Sequence, residues 1–221
     1  MRKYLSLAMA AASVVAIVSA MTPAEAATTH VLTIGKAGGT AVKTKAVLKA
    51  GLPSGKSAVF TIGSAKLTCT SASESAKVTS NPVKPGTAKE SLTAQSFSKC
   101  KISVSGVTLK SLKAGNLPYN VSVSDAKGDP VTVSGTSKSK PLSVTATVAV
   151  GTSTLSCTYT AAKITGHASN KGNVVTFSKQ KFTFASGGSL CTALGSSAAF
   201  SATIGPVTDS SVKGDPKVFV N

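Results

Sequence analysis

Arginine and tryptophan are the most conspicuous absences in this sequence. There is no tryptophan at all, and the single arginine is Arg2. Arginine is the side chain that most often reads guanine edges and clamps phosphates through two hydrogen bonds. Its absence after Arg2, together with an aromatic content of only 5%, argues against sequence-specific recognition of nucleic acid.

Acidic residues are also scarce. Residues 27–221 hold 22 lysines and six carboxylates, and the formal net charge of the whole chain is +17. Lysine is a compact point charge that suits diffuse attraction better than bidentate recognition. We therefore expect either association with a polyanion, such as an anionic cell-wall polymer, or a solvated surface that keeps the protein soluble and its sheet edges apart.

Long apolar runs are missing except near the start of the chain. Residues 1–26 carry Arg2 and Lys3 before an apolar stretch, and they end on Ala24-Glu25-Ala26. This order of features is typical of a secretory signal peptide with an Ala-x-Ala cleavage site. We predict that residues 1–26 are a signal peptide, that the mature chain has no transmembrane segment, and that the protein is secreted and extracellular.

Motifs of catalysis are lacking as well. The sequence contains neither Gly-x-Ser-x-Gly nor His-Glu-x-x-His, and its two histidines lie apart from any nucleophile motif. The carboxylates fall mostly in turn-like sequence, and they are Glu74, Glu90, Asp125, Asp129, Asp209 and Asp215. We predict a protein that is not an enzyme and that has no catalytic residues, cofactor or metal site. A hydrolase that uses two of these carboxylates is a less favoured alternative.

What the sequence does have is a strand pattern of period two. Apolar residues alternate with lysine, serine or threonine in residues 40–50, 100–107, 142–150 and 154–160. Such alternation is typical of antiparallel strands with one buried and one solvated face. Glycine, proline and asparagine recur at short intervals between these stretches and indicate turns. The sequence therefore predicts an all-β protein built as a sandwich or a barrel.

An internal repeat divides the chain after residue 126. Residues 61–69 match residues 149–157, residues 92–97 match residues 177–182, and Lys-Gly-Asp-Pro occurs at 127–130 and again at 213–216. We predict an internal duplication into two tandem antiparallel β-sandwich-like units, one over residues 27–126 and one over residues 127–221. We also expect the strand after the second Lys-Gly-Asp-Pro to complete the sheet of the preceding unit.

The four cysteines follow the repeat. An exported chain with an even number of cysteines is expected to form disulfides. Pairing Cys69 with Cys100 and Cys157 with Cys191 gives each unit its own bridge, and the chain-entropy model values such a bridge at roughly 3.5–4 kcal/mol. Zinc binding is disfavoured because no two cysteines have the short spacing that zinc sites use.

One group of proteins shares several of these stretches. The segment ESLTAQSFSKCKISVSGVT, followed by NLPYNVSV and later by GPVTD, resembles small secreted proteins of actinobacteria to which no function is assigned. The resemblance implies a secreted bacterial protein, and it brings no catalytic or binding residue with it.

Two functional hypotheses follow from the sequence. In the first, a surface or matrix protein adsorbs to anionic polymer through its lysine-rich faces. In the second, a binding module holds a small ligand or a partner protein, and its aromatic side chains either line a pocket or form the core. These aromatic residues are Tyr119, Tyr159, Phe177, Phe182, Phe184 and Phe200.

Overall fold

The fold was analysed in a computed structural model that describes residues 28–221. The predicted signal peptide lies outside the described residues. About 63% of the structure is β-strand and 3% is helix, which confirms the prediction of an all-β protein. No helix within residues 28–221 is long and apolar enough to cross a membrane.

Sixteen strands and one short helix make up the described chain. The first eight strands are β1 (Leu32–Ile34), β2 (Thr40–Ala41), β3 (Val47–Gly51), β4 (Ala58–Ile62), β5 (Ala65–Ser80), β6 (Thr87–Ile102), β7 (Val107–Gly115) and β8 (Tyr119–Ser124). The remaining elements are β9 (Pro130–Ser134), β10 (Leu142–Val150), β11 (Ser153–Ala161), β12 (Lys163–Ser169), β13 (Val174–Ser186), α1 (Ser189–Leu194), β14 (Ser197–Ile204), β15 (Thr208–Asp209) and β16 (Val218–Val220).

The strands form where small and β-branched residues alternate between two environments. In β10 every second side chain from Leu142 to Val148 is buried, as the sequence pattern predicted, although Val150 is exposed, and β14 has the same alternation. The predicted strand through Val42 and Ala46 is wrong in one respect, because a turn separates β2 from β3. Lys45 adopts a φ of 72° in that turn, a left-handed conformation far from the extended backbone of a regular strand.

Strand pairing closes the large sheet into an eight-stranded barrel. The closed circuit runs β5–β6–β8–β9–β12–β13–β14–β4 and returns from β4 to β5. A second path of three strands, β7, β10 and β11, also connects β6 with β13. The long strands β6 and β13 therefore belong to both the circuit and the side path. The interior of the barrel extends under the circuit and also under the side path.

The structure has this single barrel in place of the two tandem sandwich-like units that the repeat predicted. Five pairings cross the boundary at residue 126, namely β8–β9, β7–β10, β4–β14, β3–β15 and β1–β16. Each half leaves strand edges whose backbone N–H and C=O groups need partners, and the other half supplies those partners.

Both copies of Lys-Gly-Asp-Pro form the same tight turn. Gly128 and Asp129 have φ angles of 86° and 45°, and Gly214 and Asp215 have φ angles of 87° and 44°. The Asp129 N–H donates to the Ala126 carbonyl at 2.8 Å, and the Asp215 N–H donates to a carbonyl three residues earlier at 3.1 Å. Glycine is favoured as the second residue of the motif because the backbone there has a positive φ. Each turn leads into a short strand, β9 or β16.

The last strand covers one end of the barrel, but with a different partner from the one expected. β16 pairs with β1 in a separate three-stranded sheet, where Val220 lies opposite Leu32. The expectation that it completes the sheet of the preceding unit is therefore wrong. Its outer edge is held by two amide side chains: Asn170 donates to the Val220 carbonyl at 2.7 Å, and Asn173 donates to the Val218 carbonyl at 2.9 Å.

Candidate functional site

An internal cavity of about 130 Å³ lies inside the eight-stranded circuit. Its wall is mostly apolar and includes Phe60, Val133, Phe177, Phe200 and Ile204. A dry apolar cavity of roughly 150 Å³ in another protein holds a benzene molecule, so this volume suits a ligand of that size. We call this region of the interior the cavity part.

Three polar side chains interrupt the apolar wall. Glu74, Glu90 and Gln95 all line the cavity. Glu74 stands between the inward-facing Ala72 and Ala76 of β5, and Glu90 lies two residues before the buried Leu92 of β6. The period of two along a strand therefore directs both carboxyl groups into the barrel. Each keeps some accessible surface because that surface faces the cavity.

Gln95 fixes the orientation of the first carboxyl group. Glu74 and Gln95 lie directly opposite each other in the β5–β6 ladder, and the Gln95 amide donates a hydrogen bond to Glu74 Oε1 at 2.7 Å. Burial raises the pKa of the Glu74 carboxyl, and this hydrogen bond opposes the rise. Glu74 is thus held against the wall with one partner already in place.

Glu90 has no such partner. Within residues 28–221 no side chain or backbone group donates a hydrogen bond to its carboxyl, and the side chain is half-buried. Burial raises the pKa of Glu90 to about 7, and the neighbouring negative charge of Glu74 contributes to the rise. No lysine of residues 28–221 is buried beside these carboxyl groups, because all 22 lysines are exposed.

The other buried polar groups of the wall are occupied. The Tyr119 hydroxyl donates toward the carbonyls of Gly115 and Ser143 and accepts from the Ser143 N–H at 3.1 Å. The Asn173 amide is committed to β16. Among these groups, Glu90 is consequently the one that accepts no hydrogen bond from residues 28–221, and Glu74 accepts only one.

The rim of the cavity can be located from residues that both line it and are exposed. These residues are Lys49, Ser169 and Asn170. The adjacent end of the barrel is covered by the sheet of β1 and β16, whose Leu32, Val218 and Val220 also belong to the cavity wall. A ligand would therefore pass close to this terminal sheet.

A second region of the interior, which we call the packed part, is filled almost completely. It lies under the side path and leaves a void of only about 10 Å³. Its lining includes Leu67, Leu112, Ala146, Tyr159 and Ala198. Phe60 and Phe182 line both parts and separate them, with ring centroids 6.3 Å apart.

The disulfides are those that the repeat predicted, and they lie at the packed part. Cys69 is bonded to Cys100, its directly opposite neighbour on β6, and their Cα atoms are 3.9 Å apart. Cys157 of β11 is bonded to Cys191 of α1, with a Cα separation of 5.5 Å. Neither bond lines the cavity. No cysteine in the described chain is left free.

The aromatic residues named from the sequence divide between the two parts. Tyr119, Phe177, Phe182 and Phe200 line the cavity. Tyr159 belongs to the packed part, and its ring lies 5.8 Å from that of Phe184. The prediction that these residues form the core is therefore confirmed for all but the partly buried Phe184, and four of them also border the cavity.

Sequence reasoning missed Glu74 and Glu90 as cavity residues. Assigning these two to turn-like sequence is wrong, because both lie within long strands. The available signal was the alternation itself: Ala72, Ala76 and Val78 share a face on which the only charged residue is Glu74. Among residues 28–221, no cluster of three or more histidine, cysteine or carboxylate side chains could hold a metal ion.

Charge is segregated between the inside and the outside. All 22 lysines are exposed, whereas Asp215 is the only one of the six carboxylates in residues 28–221 that is fully exposed. Asp209 is buried, and its carboxylate accepts from the Ser211 N–H at 2.9 Å. Cations therefore predominate among the exposed charges of residues 28–221, with Asp125 and Asp129 half-exposed beside them.

Comparison with known proteins adds no relative. A scan against protein-family models finds no match, and neither the search of the curated proteins nor that of the solved structures finds one.

Proposed function

We propose that this protein is a non-enzymatic binding module that encloses a small ligand inside the barrel. The observation that carries the proposal is the cavity of about 130 Å³ with an apolar wall and cavity-facing carboxyl groups. Binding sites for small molecules are typically concave, mostly apolar and equipped with a few convergent polar groups.

The energetics of the wall support this proposal. Protein interiors are close-packed, and an empty volume as large as this one costs stability. A buried carboxyl group without a hydrogen-bond partner is also unfavourable. Leucine or methionine at positions 74 and 90 would remove the cost of the carboxyl groups, since either side chain has a similar size and no charge. A bound ligand would fill the empty volume and supply the missing hydrogen-bond partner.

Titration with a small apolar probe tests the proposal. We expect toluene to shift the backbone amide resonances of Val121, Phe177 and Phe200 in a heteronuclear NMR spectrum, and to leave those of Leu67 and Tyr159 unchanged. The matched control is Val121→Phe, which places a larger ring in the cavity. If the wild type shows no saturable shifts, or if Val121→Phe responds like the wild type, the cavity does not bind ligands.

A second candidate function is adsorption to an anionic polymer. The observation that favours it is the cationic outer surface, with 22 exposed lysines and a single fully exposed carboxylate. We expect retention on immobilised polyphosphate at low ionic strength and release as the Debye length falls below about 10 Å near 0.1 M salt. Neutral dextran is the control, and equal retention on dextran would contradict this function.

We also infer that the protein is secreted and that residues 1–26 are a cleaved signal peptide. Two disulfides and the resemblance to secreted actinobacterial proteins support this inference. Sequencing the amino terminus of the protein recovered from culture medium should give Ala27 as the first residue. Retention of the full-length chain in the cells would contradict it.

The duplication remains part of the proposal. The matching φ angles of the two Lys-Gly-Asp-Pro turns support it, as does a second pair of matching positions. Lys99 and Lys179 both follow Phe-Ser and both have positive φ, of 51° and 48°, which aligns Phe97 with Phe177 instead of Phe182. If the halves are equivalent, a chain with residues 127–221 before residues 27–126 should still fold with both disulfides, and failure to fold would contradict equivalence.

A further inference from the structure

The Glu90 carboxyl is the starting point for identifying the ligand. It is half-buried, it lines the cavity, and within residues 28–221 no group donates a hydrogen bond to it. Glu74 lies close enough to influence it electrostatically and has a single partner, Gln95. A carboxylate offers about four acceptor positions, so this side of the cavity has several unused acceptors, whereas the Gln95 amide already directs one of its two N–H groups at Glu74.

We propose that the cavity binds a small primary amine whose ammonium group is held by Glu90 and Glu74 and whose apolar part packs against Phe177 and Phe200. This inference rests on the proposed function, since it names the chemical class of ligand for the same cavity. A primary ammonium carries three donors and no acceptor, which is the complement of the wall.

The charge balance of the cavity favours a cation over a neutral donor. Glu74 and Glu90 are two like charges in an enclosed space, and the nearest lysine on the lining, Lys49, is exposed at the rim. A hydroxyl group would satisfy one acceptor and leave the repulsion in place. An ammonium group would satisfy the acceptors and offset the repulsion, and hydrogen bonds between charged partners are roughly twice as strong as neutral ones.

A metal ion fits this wall less well than an amine does. Calcium needs about six to eight oxygen ligands, and magnesium needs an octahedron of them. Beyond Glu74, Glu90 and Gln95, the surrounding wall is supplied mainly by apolar side chains such as Val121 and Val133. In the described chain no third carboxylate or histidine joins the pair.

The size and the aromatic wall limit the ligand further. A volume of about 130 Å³ accommodates one benzene-sized ring or a short alkyl chain with few additional atoms. Phe177 and Phe200 line the cavity with ring centroids 6.3 Å apart. Aromatic faces attract cations as well as apolar groups, so the wall favours an arylalkylamine or a short alkylamine.

Three probes of nearly equal size test the assignment. Benzylamine, benzyl alcohol and toluene share the same ring and differ in the group that would meet Glu90. At pH 8 we expect benzylamine to bind at least about tenfold more tightly than benzyl alcohol or toluene. The measurement is an NMR titration of the full mature protein, followed at the amides of Val121 and Phe177.

Variants at Glu90 separate charge recognition from cavity shape. Glu90→Gln should weaken benzylamine binding by about tenfold or more and change toluene binding by less than about twofold. Val121→Phe, which fills the cavity beside Glu90, should abolish binding of all three probes. Its side chain lies directly opposite Glu90 in the β6–β8 ladder.

The wild-type protein provides a test that needs no variant. Because Glu90 and Glu74 gain charge as the pH rises, benzylamine should bind about tenfold more tightly at pH 8 than at pH 5.5, while toluene binding stays constant. The other polar side chains of this wall include Gln95, which does not titrate, Tyr119, whose raised pKa keeps its phenol neutral over this range, and Lys49 at the rim.

The outcomes distinguish the proposed binding function from the assignment of an amine as the ligand. If none of the three probes binds, the proposed binding function fails. If toluene and benzyl alcohol bind and benzylamine binds no better, the cavity is a ligand site and the amine assignment is wrong. If Glu90→Gln weakens all three equally, Glu90 serves the structure alone. If millimolar calcium displaces benzylamine from Glu90, the site is a cation site of a different class and the assignment is overturned.

Discussion

The cavity part and the packed part share one barrel wall but have opposite properties. The packed part leaves about 10 Å³ empty, has no charged residue in its lining, and lies beside both disulfides. The cavity part leaves about 130 Å³ empty, contains two carboxyl groups, and has neither disulfide in its lining. This difference is what the proposed function requires, namely one part that is packed tightly and a second part with space for a ligand.

Removal of β16 should produce the largest difference in stability between the cavity part and the packed part. Deleting residues 215–221 takes away two valines that each contribute about 1.5–3 kcal/mol by burial. It also removes ladder hydrogen bonds to β1, each worth about 0.5–1.5 kcal/mol. We expect hydrogen exchange to accelerate in β1 and around Asn170, and protection to persist in β10 and β11. Uniform loss of protection would mean that the two parts unfold as one unit.

A matched pair of leucine substitutions compares the packing directly. Leu67 belongs to the packed part and is 1% exposed, and Leu92 lines the cavity and is 5% exposed. We expect Leu67→Ala to lower the free energy of unfolding by about 3–5 kcal/mol and Leu92→Ala by about 2 kcal/mol, because Leu92 already borders a void. Urea denaturation measures both values. Equal losses would show that the cavity part is packed as well as the other.

Acid should stabilise the cavity part. The pKa of Glu90 is raised in the folded protein to about 7, so the folded state binds more protons than the unfolded state between its normal pKa and pH 7. The stability that this group contributes is fully present below about pH 4.5 and is lost as the pH rises through 7, by up to about 3 kcal/mol.

Glu90→Gln is the control for this pH dependence. The free energy of unfolding of the variant should fall less steeply between pH 4.5 and pH 7.5 than that of the wild type, with Glu74 accounting for part of the remaining slope. Urea denaturation at several pH values gives the two curves. Parallel curves would mean that Glu90 titrates in the folded barrel as it does in the unfolded chain.

A larger side chain in the cavity part should change the free energy of unfolding less than any of the preceding substitutions. Val121→Phe points its larger ring into the void, and we expect the free energy of unfolding to change by less than about 1 kcal/mol. Ala146→Leu in the packed part should cost about 1–3 kcal/mol, because overpacking forces neighbouring side chains out of their preferred rotamers. Thermal unfolding of both variants tests the contrast, which fails if Val121→Phe is the more damaging change.

Local features of this fold could be predicted because they depend on neighbours in sequence. The alternation in β10 and β11 identifies strands, and the glycine and proline of each Lys-Gly-Asp-Pro identify a tight turn. The disulfide pairs followed from the repeat, since Cys69 and Cys157 occupy equivalent places. These predictions required only that each segment have one buried face and one tight turn.

The partner of each strand edge could not be predicted in the same way. Nothing in the alternation of β4 distinguishes β14 from another strand as its neighbour, because backbone hydrogen bonding is the same for every sequence. The cavity was missed for a related reason. Glu90 interrupts an apolar face, and a charged residue in such a position is more often found at a turn than inside a barrel. The empty volume also depends on many side chains at once.

The pairing of β1 with β16 has a consequence for how the chain reaches its final form. Thr33 and Asn221 contact each other although they are 188 residues apart in the chain. During synthesis or export from the amino terminus, β1 emerges first and has to wait for almost all of the remaining chain before its partner exists. Contacts between such distant residues slow folding, since a long loop must be closed before any stabilisation is gained. The terminal sheet is therefore expected to form last, after the β10–β11 hairpin and the Cys69–Cys100 ladder have set the barrel wall.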